Sequence, residues 1–326
     1  MKILFFSEAF IVLLTCSFFS LKAQQSSVSA GGQASGSNGS MSYSIGQPVY
    51  TNFSNQYGDI NQGVQQPEVN VSVAVKVFLA GSYDPNAGLM KDSLRAQGLI
   101  PLVEPYSGAP YLRPVLSELN GESITSSFFT ETSQNAIIDW VFLELRSSSD
   151  NAVIVATKRA LLQRDGDVVS HLDGQSPVIF TRVPSGNYFV SIKHRNHLGV
   201  MTATALSLSP IATSIDFTTL STVYTMGSIS NSPRKLEGSV YTLWTGDANT
   251  NKNVKYNGLN NDKDIILSSL GGLPNINSTL FNVYRREDVN LDGKVRYNNS
   301  DNDRVLILST VGTSTPNNIY NQHTPN

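Results

Sequence analysis

The sequence holds one cysteine, Cys16, and it lies near the start of the chain, inside an apolar run from Ile3 to Leu21 interrupted by Glu8. Lys2 precedes the run and Lys22-Ala23-Gln24 follows it, giving the charged start, apolar centre and small final residue of a secretory signal peptide. Cleavage after Ala23 is expected. It removes the thiol, so the mature chain has no internal disulfide and no cysteine ligand or nucleophile; stability has to come from a core or from metal. A membrane anchor needs about 20 uninterrupted apolar residues, and Ser, Thr and Glu break this run, so no transmembrane segment is expected in the mature chain. A lipid anchor on Cys16 would normally follow Gly, Ala or Ser, and Thr15 stands there.

Charge is also scarce. Only 15% of the residues are charged, and the formal net charge is −2. That balance lacks the basic stripe that phosphate binding requires, so no nucleic-acid partner is expected. Roughly 300 residues follow the leader, enough for two or three modest domains.

Residues 24–68 are rich in Gly, Ser, Asn and Gln, but Met41, Tyr43 and Ile45 alternate and a Gly-Gln-Pro turn precedes Val49-Tyr50, which predicts a small irregular β segment. From Val69 the pattern changes. Val69, Val71, Val73, Val75, Val77 and Leu79 alternate at period two, the mark of a long strand. Further strands are predicted at 136–145, 152–157, 160–163, 178–181, 188–193 and 200–208. Asp165-Gly166 and Asp173-Gly174 supply turns, and Gly88 to Leu99 has helical spacing for at most a short helix. Short strands without crossover helices favour an antiparallel sandwich over 69–232. Pro184-Ser185-Gly186-Asn187-Tyr188-Phe189-Val190 resembles the strand entry of transthyretin-like and immunoglobulin-like sandwiches, which bears on architecture and not on function.

The segment 233–326 carries an internal repeat. Gly246-Asp247-Ala248-Asn249-Thr250-Asn251-Lys252-Asn253-Val254-Lys255-Tyr256 returns as Glu287-Asp288-Val289-Asn290-Leu291-Asp292-Gly293-Lys294-Val295-Arg296-Tyr297. The match continues through Asn261-Asp262 and Asn302-Asp303 to Gly271 and Gly312. In the second copy Asp288, Asn290 and Asp292 stand at positions 1, 3 and 5 of a calcium loop, and Gly293 at position 6 permits the sharp bend. Lys294 supplies a backbone carbonyl, and Val295 packs inward. Position 12, where an EF-hand closes with an acid, is Asn299. The aligned acid is Asp303, so the loop is elongated, with Asp301 between them. The first copy offers Asp247, Asn249, Asn251, Asn253 and Asp262, with Asp264 nearby. It is weaker, because Asn251 replaces an acid and Lys252 sits where Gly would relieve positive φ. Two calcium ions are the expected cofactors. Asn/Asp-rich turns that cap their own backbone are the simpler alternative.

After each closing acid an apolar run forms a helix, Asp264 to Leu270 and Arg304 to Val311, with Gly271 and Gly312 as C-caps. No comparable helix precedes either loop. This loop-then-helix unit resembles the dockerin modules, in which two half-motifs pack around two calcium ions; the elongated loop departs from their spacing. Such a module implies a small α-helical calcium-binding domain after the sandwich.

Other candidates carry less. His194 and His197 lie three apart, which on a strand points them to opposite faces unless the chain turns there, and no third zinc ligand is nearby. Asp139, Glu144, Asp165 and Asp167 would serve glycoside hydrolysis only if two of them converged across a cleft. No Gly-x-Ser-x-Gly elbow is present. No catalytic or organic-cofactor residues are therefore assigned.

Ser42-Tyr43-Ser44-Ile45-Gly46-Gln47, Gln62-Gly63-Val64-Gln65-Gln66-Pro67, Leu94-Arg95-Ala96-Gln97-Gly98-Leu99-Ile100-Pro101 and His194-Arg195-Asn196-His197-Leu198-Gly199 resemble segments of secreted and surface proteins of Bacteroidota, some labelled hemagglutinins. The resemblance implies an extracellular or cell-surface interaction or adhesion protein with an unknown protein or glycan ligand. The alternative is an accessory protein or enzyme of polysaccharide degradation docked through the C-terminal module. N-terminal sequencing of exported protein should read Gln24 as the first residue; Met1 retained on exported material would reject the cleavage.

Overall fold

The computed structural model describes residues 69–108, 111 and 121–325, together with the backbone of four strands between residues 30 and 61. The leader expected at 1–23 lies outside the described residues. The chain divides into two compact units, 1–67 and 68–326. In the first, β1 (Ala30–Gly36) pairs with β2 (Gly39–Ile45), and β3 (Asn52–Asn55) with β4 (Gly58–Asn61), both antiparallel.

The second unit is mainly β. It runs through β5 (Asn70–Lys76), β6 (Tyr83–Asp84), β7 (Leu89–Met90), the single turn α1 (Ser93–Ala96), β8 (Ile137–Ser147), β9 (Ile154–Gln163), β10 (Asp167–Val169), β11 (Val178–Thr181), β12 (Gly186–His194), β13 (His197–Met201), β14 (Leu206–Leu208) and β15 (Thr213–Asp216). There follow β16 (Lys235–Glu237), β17 (Val240–Thr242), β18 (Asn253–Lys255), α2 (Asp262–Ser269), β19 (Thr279–Phe281), β20 (Lys294–Arg296), α3 (Asp303–Val311) and β21 (Ile319–Asn321). Among the described residues no helix is long and apolar enough to cross a membrane.

Nine strands form one sheet in the order β11-β5-β10-β9-β8-β12-β13, with β14 also on β12 and β15 also on β5. Every pairing is antiparallel except β15 on β5. Just past β14, the carbonyl of Ser209 accepts from the Ser72 amide of β5 at 2.9 Å, so the two sides of the sheet meet. The period-two pattern of β5 does what alternation requires: Val71, Val73, Val75, Val77 and Leu79 are all buried, while Val69 lies outside the core.

Several boundaries differ from those the sequence suggests. The strands expected at 152–157 and 160–163 are one strand, β9, because Lys158 and Arg159 continue the ladder opposite Leu143 and Phe142. The strand expected at 200–208 is interrupted after Met201, so β13 and β14 pair with different parts of β12. The helix expected within 88–99 shrinks to α1, ended by Gly98 at φ +67°. The two repeat helices begin earlier than expected, at Asp262 and Asp303, because Asn261 and Asn302 are their N-caps and accept from the Asp264 and Val305 amides.

Strand β8 is buried along nearly its whole length. Trp140 and Phe142 are covered by the segment after α1: Trp140 Nε1 donates to the Pro101 carbonyl, Tyr106 donates to the Trp140 carbonyl, and the Tyr106 and Tyr111 rings pack on Phe142. On the same alternation Glu144 and Arg146 form a buried ion pair at 2.7 Å, and Lys193 approaches the other Glu144 oxygen at 2.6 Å. Burial alone would raise the Glu144 carboxyl; Lys193 and Arg146 outweigh it and hold it below the ordinary range. Arg146 also donates to the Pro325 carbonyl, and Gln322 accepts from the Gly199 amide, so the end of the chain is stitched to the large sheet.

The described residues form two hydrophobic cores. The larger fills the nine-stranded sheet; the smaller gathers Val254, Ile266, Val289, Val295, Ile307 and Val311 from the repeat. They exchange side chains across residue 233: Leu198 of β13 belongs to the small core, and Leu291 of the second loop to the large one.

The hairpin between β12 and β13 joins the two. The chain turns at Arg195-Asn196, so His194 and His197 converge, with Nδ1 atoms 3.1 Å apart. His197 Nε2 accepts from the Gly81 amide, so its proton sits on Nδ1. His194 faces Asp139 through Nε2 at 3.1 Å, so its own Nδ1 is an acceptor and shares the His197 Nδ1–H with the Asn196 side-chain oxygen. Asp139 is fully buried and also accepts from Arg195 and Tyr284; despite burial, Arg195 and His194 hold its carboxyl at about 2. Burial lowers both histidines, His197 well below the ordinary value, where its neighbours His194 and Arg195 add to the effect.

Each ring nitrogen is committed, so protonation has to break a bond. Because the folded values lie below the unfolded value near 6.5, the stability these rings contribute is full above about pH 6.5 and is lost as pH falls toward the folded values. In an NMR titration the ring signals of His197 should stay fixed from pH 8 to 6, a range over which an unperturbed histidine becomes about three-quarters protonated, and those of His194 should move only at lower pH than an unperturbed ring. Ordinary titration of either ring would contradict the network.

Candidate functional site

The two loops of the repeat share most of their hydrogen bonds. Asp247 Oδ1 and Oδ2 accept from the Asn251 and Lys252 amides at 2.9 and 3.0 Å; Asp288 accepts from Asp292 and Gly293 at 3.0 and 2.9 Å. Asn251 and Asp292, at position 5, each accept from the amide two residues on, Asn253 and Lys294. Asn249 and Asn290 donate to the Asn260 and Asp301 carbonyls, both at 2.9 Å. Asp262 and Asp303 reach back from the first residue of each helix to the loop, accepting from Lys255 and Arg296, both at 2.8 Å. Positive φ recurs at matched places: Thr250 and Leu291, Lys252 and Gly293, Gly258 and Asn299, Asn260 and Asp301.

Asp303, not Asn299, therefore closes the second loop, and the aligned Asp262 closes the first. Asp264 is engaged with its own N-cap, its carboxylate accepting from the Asn261 amide group, and Asp301 is exposed. Lys294 and Asn253 lie on the short strands β20 and β18, next to the inward and fully buried Val295 and Val254. The Asn253 Oδ1 atom is buried without a hydrogen-bond partner.

Turn chemistry accounts for the amide bonds, since Asx side chains cap nearby backbone readily. It does not account for the charge. Asp262, Asp288 and Asp303 are wholly buried and Asp247 nearly so. Among the described residues, none of the four makes an ion pair with a basic side chain. Burial pushes Asp247 and Asp288 up to about 7 and Asp262 to about 8, with Asp247 adding its repulsion to Asp262; burial and the facing Asp288 push Asp303 well above the ordinary range.

The donor set is hard oxygen throughout, which suits calcium. An ionised carboxylate has about four acceptor positions, so one amide bond per oxygen fixes each group and leaves lone pairs free. The fit is incomplete as the side chains stand. Among the described residues no three His, Cys, Asp or Glu side chains gather at metal-binding distance. In the second loop Asp292, the third acid, is ion-paired with Arg296 instead. A cation there would have to draw Asp292 away from that partner.

The other candidate carboxylates are occupied. Asp139 and Glu144 are buried in ion pairs, and the exposed Asp167 faces Lys76 at 3.4 Å. Asp165 accepts from the Asp167 amide and is raised by partial burial. A polar cleft of about 440 Å³ is lined by Phe128, Glu131, Asn135, Gln163, Asp173 and Gln175, among others. Its two acids act as turn acceptors. Glu131 takes the Ser133 and Thr132 amides, and Asp173 the Gln175 and Ser176 amides. The bond from Ser133 lowers Glu131, and the Ser176 bonds outweigh burial to lower Asp173, so both are poorly suited to proton donation.

The signal that sequence reasoning missed is the role of the His194 to His197 hairpin. Asn196 contacts both loops, and nothing in the local sequence announces it. No protein-family model, curated protein or solved structure matches the chain.

The carboxyl shifts have a definite sign. Folded values near 7 to 8 against 3.8 unfolded mean the folded chain holds more protons, so in chelator these groups contribute fully below about pH 4 and the contribution is lost as pH rises through 7 to 8. Between pH 6.5 and 8, where the histidines are already neutral, the melting midpoint in chelator should fall, and saturating calcium should abolish the fall. A midpoint that stays flat in chelator would show that the four carboxyls ionise freely.

Proposed function

We propose that the chain is a secreted or cell-surface interaction protein, with an immunoglobulin- or transthyretin-like β-sandwich as its display module and a dockerin-like C-terminal repeat that holds two calcium ions. The observation that carries the metal reading is the pairing of buried carboxylates, Asp247 with Asp262 and Asp288 with Asp303, without basic partners. Leaving charge buried and unpaired costs several kcal/mol, and a divalent cation of hard-oxygen preference offsets it directly.

The display role is supported more weakly, by the leader, the scarcity of charge and the resemblance to surface proteins of Bacteroidota. A non-catalytic reading is preferred because the acids of the polar cleft are held ionised by turn bonds, and the histidines are sealed in the interior. The ligand class stays at a protein or glycan outside the cell.

The second site should bind more tightly. Asp292 adds a charged ligand where Asn251 stands in the first loop, and Gly293 takes positive φ without the cost, about 1 kcal/mol, that Lys252 bears at +69°. Calorimetric titration of the full mature chain with calcium should register two ions of unequal affinity. Binding at 100 times the dissociation constant stabilises by about 2.7 kcal/mol, and Asp303→Ala should reduce the calcium-dependent melting shift more than Asp262→Ala. Absence of binding heat together with a melting point indifferent to chelator would end the calcium reading.

A further inference from the structure

We propose that Asn196 is a positioning residue that couples the two loops, so that a cation in one raises the affinity of the other. The inference rests on the calcium reading and adds to it a link that lies outside the repeat, on the hairpin of the large sheet.

Asn196 is completely buried, and it touches the first ligand residue of both loops. Its carbonyl accepts from the Gly246 and Asp247 amides at 3.0 and 3.2 Å. Its side-chain amide donates to the Asp288 carbonyl at 2.7 Å and to the Arg286 carbonyl at 3.0 Å. The remaining oxygen, Oδ1, takes the His197 Nδ1 proton at 2.8 Å, which fixes the orientation of the amide. The carbonyl, the amide group and Oδ1 all have partners, so none can move without breaking a bond.

Two features remove slack around this link. The Thr245 hydroxyl, one residue before the first loop, donates to the Val289 carbonyl in the second at 2.7 Å, and the Thr245 carbonyl accepts from Thr310 of α3 at 3.0 Å. On the other side the Val289 carbonyl lies so close to Gly81 that a Cβ there would sit 2.1 Å from it. Neither loop can therefore tighten around an ion without loading the backbone of the other. An ion that orders one loop spares the second ion part of the ordering cost, and the effect is reciprocal.

The test is a double-mutant cycle on the full mature chain, stripped with chelator and titrated with calcium chloride by calorimetry. Asp262→Ala disables the first loop, and the affinity of the second is then read with and without Asn196→Ala. The expected result is that Asp262→Ala weakens the second loop about five-fold or more when Asn196 is present, and less than about two-fold when it is Ala. Two ions bound by the parent chain, with the second loop indifferent to Asp262→Ala, would overturn the coupling and leave the calcium reading standing. A loss of equal size in the Asn196→Ala background would overturn the role of Asn196, and failure of the parent chain to bind calcium would overturn both. Should Asn196→Ala not fold, hydrogen exchange keeps the question open to refutation without altering Asn196: in the Asp262→Ala chain, filling the second loop should slow exchange of the Gly246 and Asp247 amides, and unchanged exchange there would overturn the link.

Discussion

The arrangement of the second unit depends on one buried charge. Asp139 carries a full negative charge near the start of β8, and its compensation by Arg195, His194 and the Tyr284 hydroxyl fixes where the β12–β13 hairpin lies. From there the dependence runs outward. His194 orients His197, His197 orients Asn196, and Asn196 holds the start of each loop. Removing one partner of such a buried set leaves a charge uncompensated and costs about 3 to 5 kcal/mol. The network thus specifies geometry more than it adds net stability, since it has to offset the desolvation of every member. Tyr284 and the Arg285 carbonyl, both of the segment entering the second loop, bond to Asp139 and Arg195, so the charge in the large sheet also positions the repeat.

How much of this was legible in the sequence follows the range of the interactions. Local apolar pattern exposed β5, β8 and β11, through period-two alternation in β5 and through apolar runs in β8 and β11. The repeat exposed both loops and singled out Asp303 over Asn299, since alignment within the chain compares like with like. Strands β10 and β15 carry no alternating apolar residues and exist through their pairing, β10 between β5 and β9 and β15 on β5. The convergence of His194 and His197 was hidden because the turn between them, Arg195-Asn196, contains neither Gly nor Pro. Lys158-Arg159 in the middle of β9 looked like a break for the opposite reason. Arg159 is buried there because Glu104 lies 3.6 Å from it, a partner more than fifty residues away in the chain.

The two loops show what sequence divergence does to a conserved geometry within one chain. Position 6 is Gly in the second copy and Lys in the first, yet both adopt positive φ, so tertiary context overrides the local preference of Lys252. Position 5 changes more. Asp292 in the second loop attracts Arg296, whereas in the first loop the equivalent basic residue, Lys255, donates instead to the Leu259 carbonyl and Asn251 carries no charge. On the proposed calcium reading, the second loop therefore has both the stronger ligand set and an internal cation competing for it. Its advantage depends on a divalent ion outbidding a single partly buried guanidinium, which the facing pair Asp288 and Asp303 favours because Arg296 does not reach either carboxylate with its side chain.

Buried carboxylates in this fold are treated in two ways, and the contrast is the strongest physical argument for an external cation. Glu144 and Asp139 sit in the interior of the large sheet with basic side chains from the same chain against them, and both are held below their ordinary range. Asp247, Asp262, Asp288 and Asp303 are buried too, accept hydrogen bonds only from backbone amides, and are all pushed up, although Arg195 offsets part of the shift at Asp288 and Arg286 part of that at Asp247. Amide dipoles fix the orientation of a carboxylate but supply no full positive charge. Protonating all four would relieve the repulsion, yet a protonated carboxyl has to donate as well as accept, and the loop presents amide donors to both oxygens of Asp247, Asp262, Asp288 and Asp303. The hydrogen-bond pattern suits the ionised form, while burial opposes it. A bound divalent cation satisfies both demands at once, since it keeps the carboxylates ionised and balances their charge.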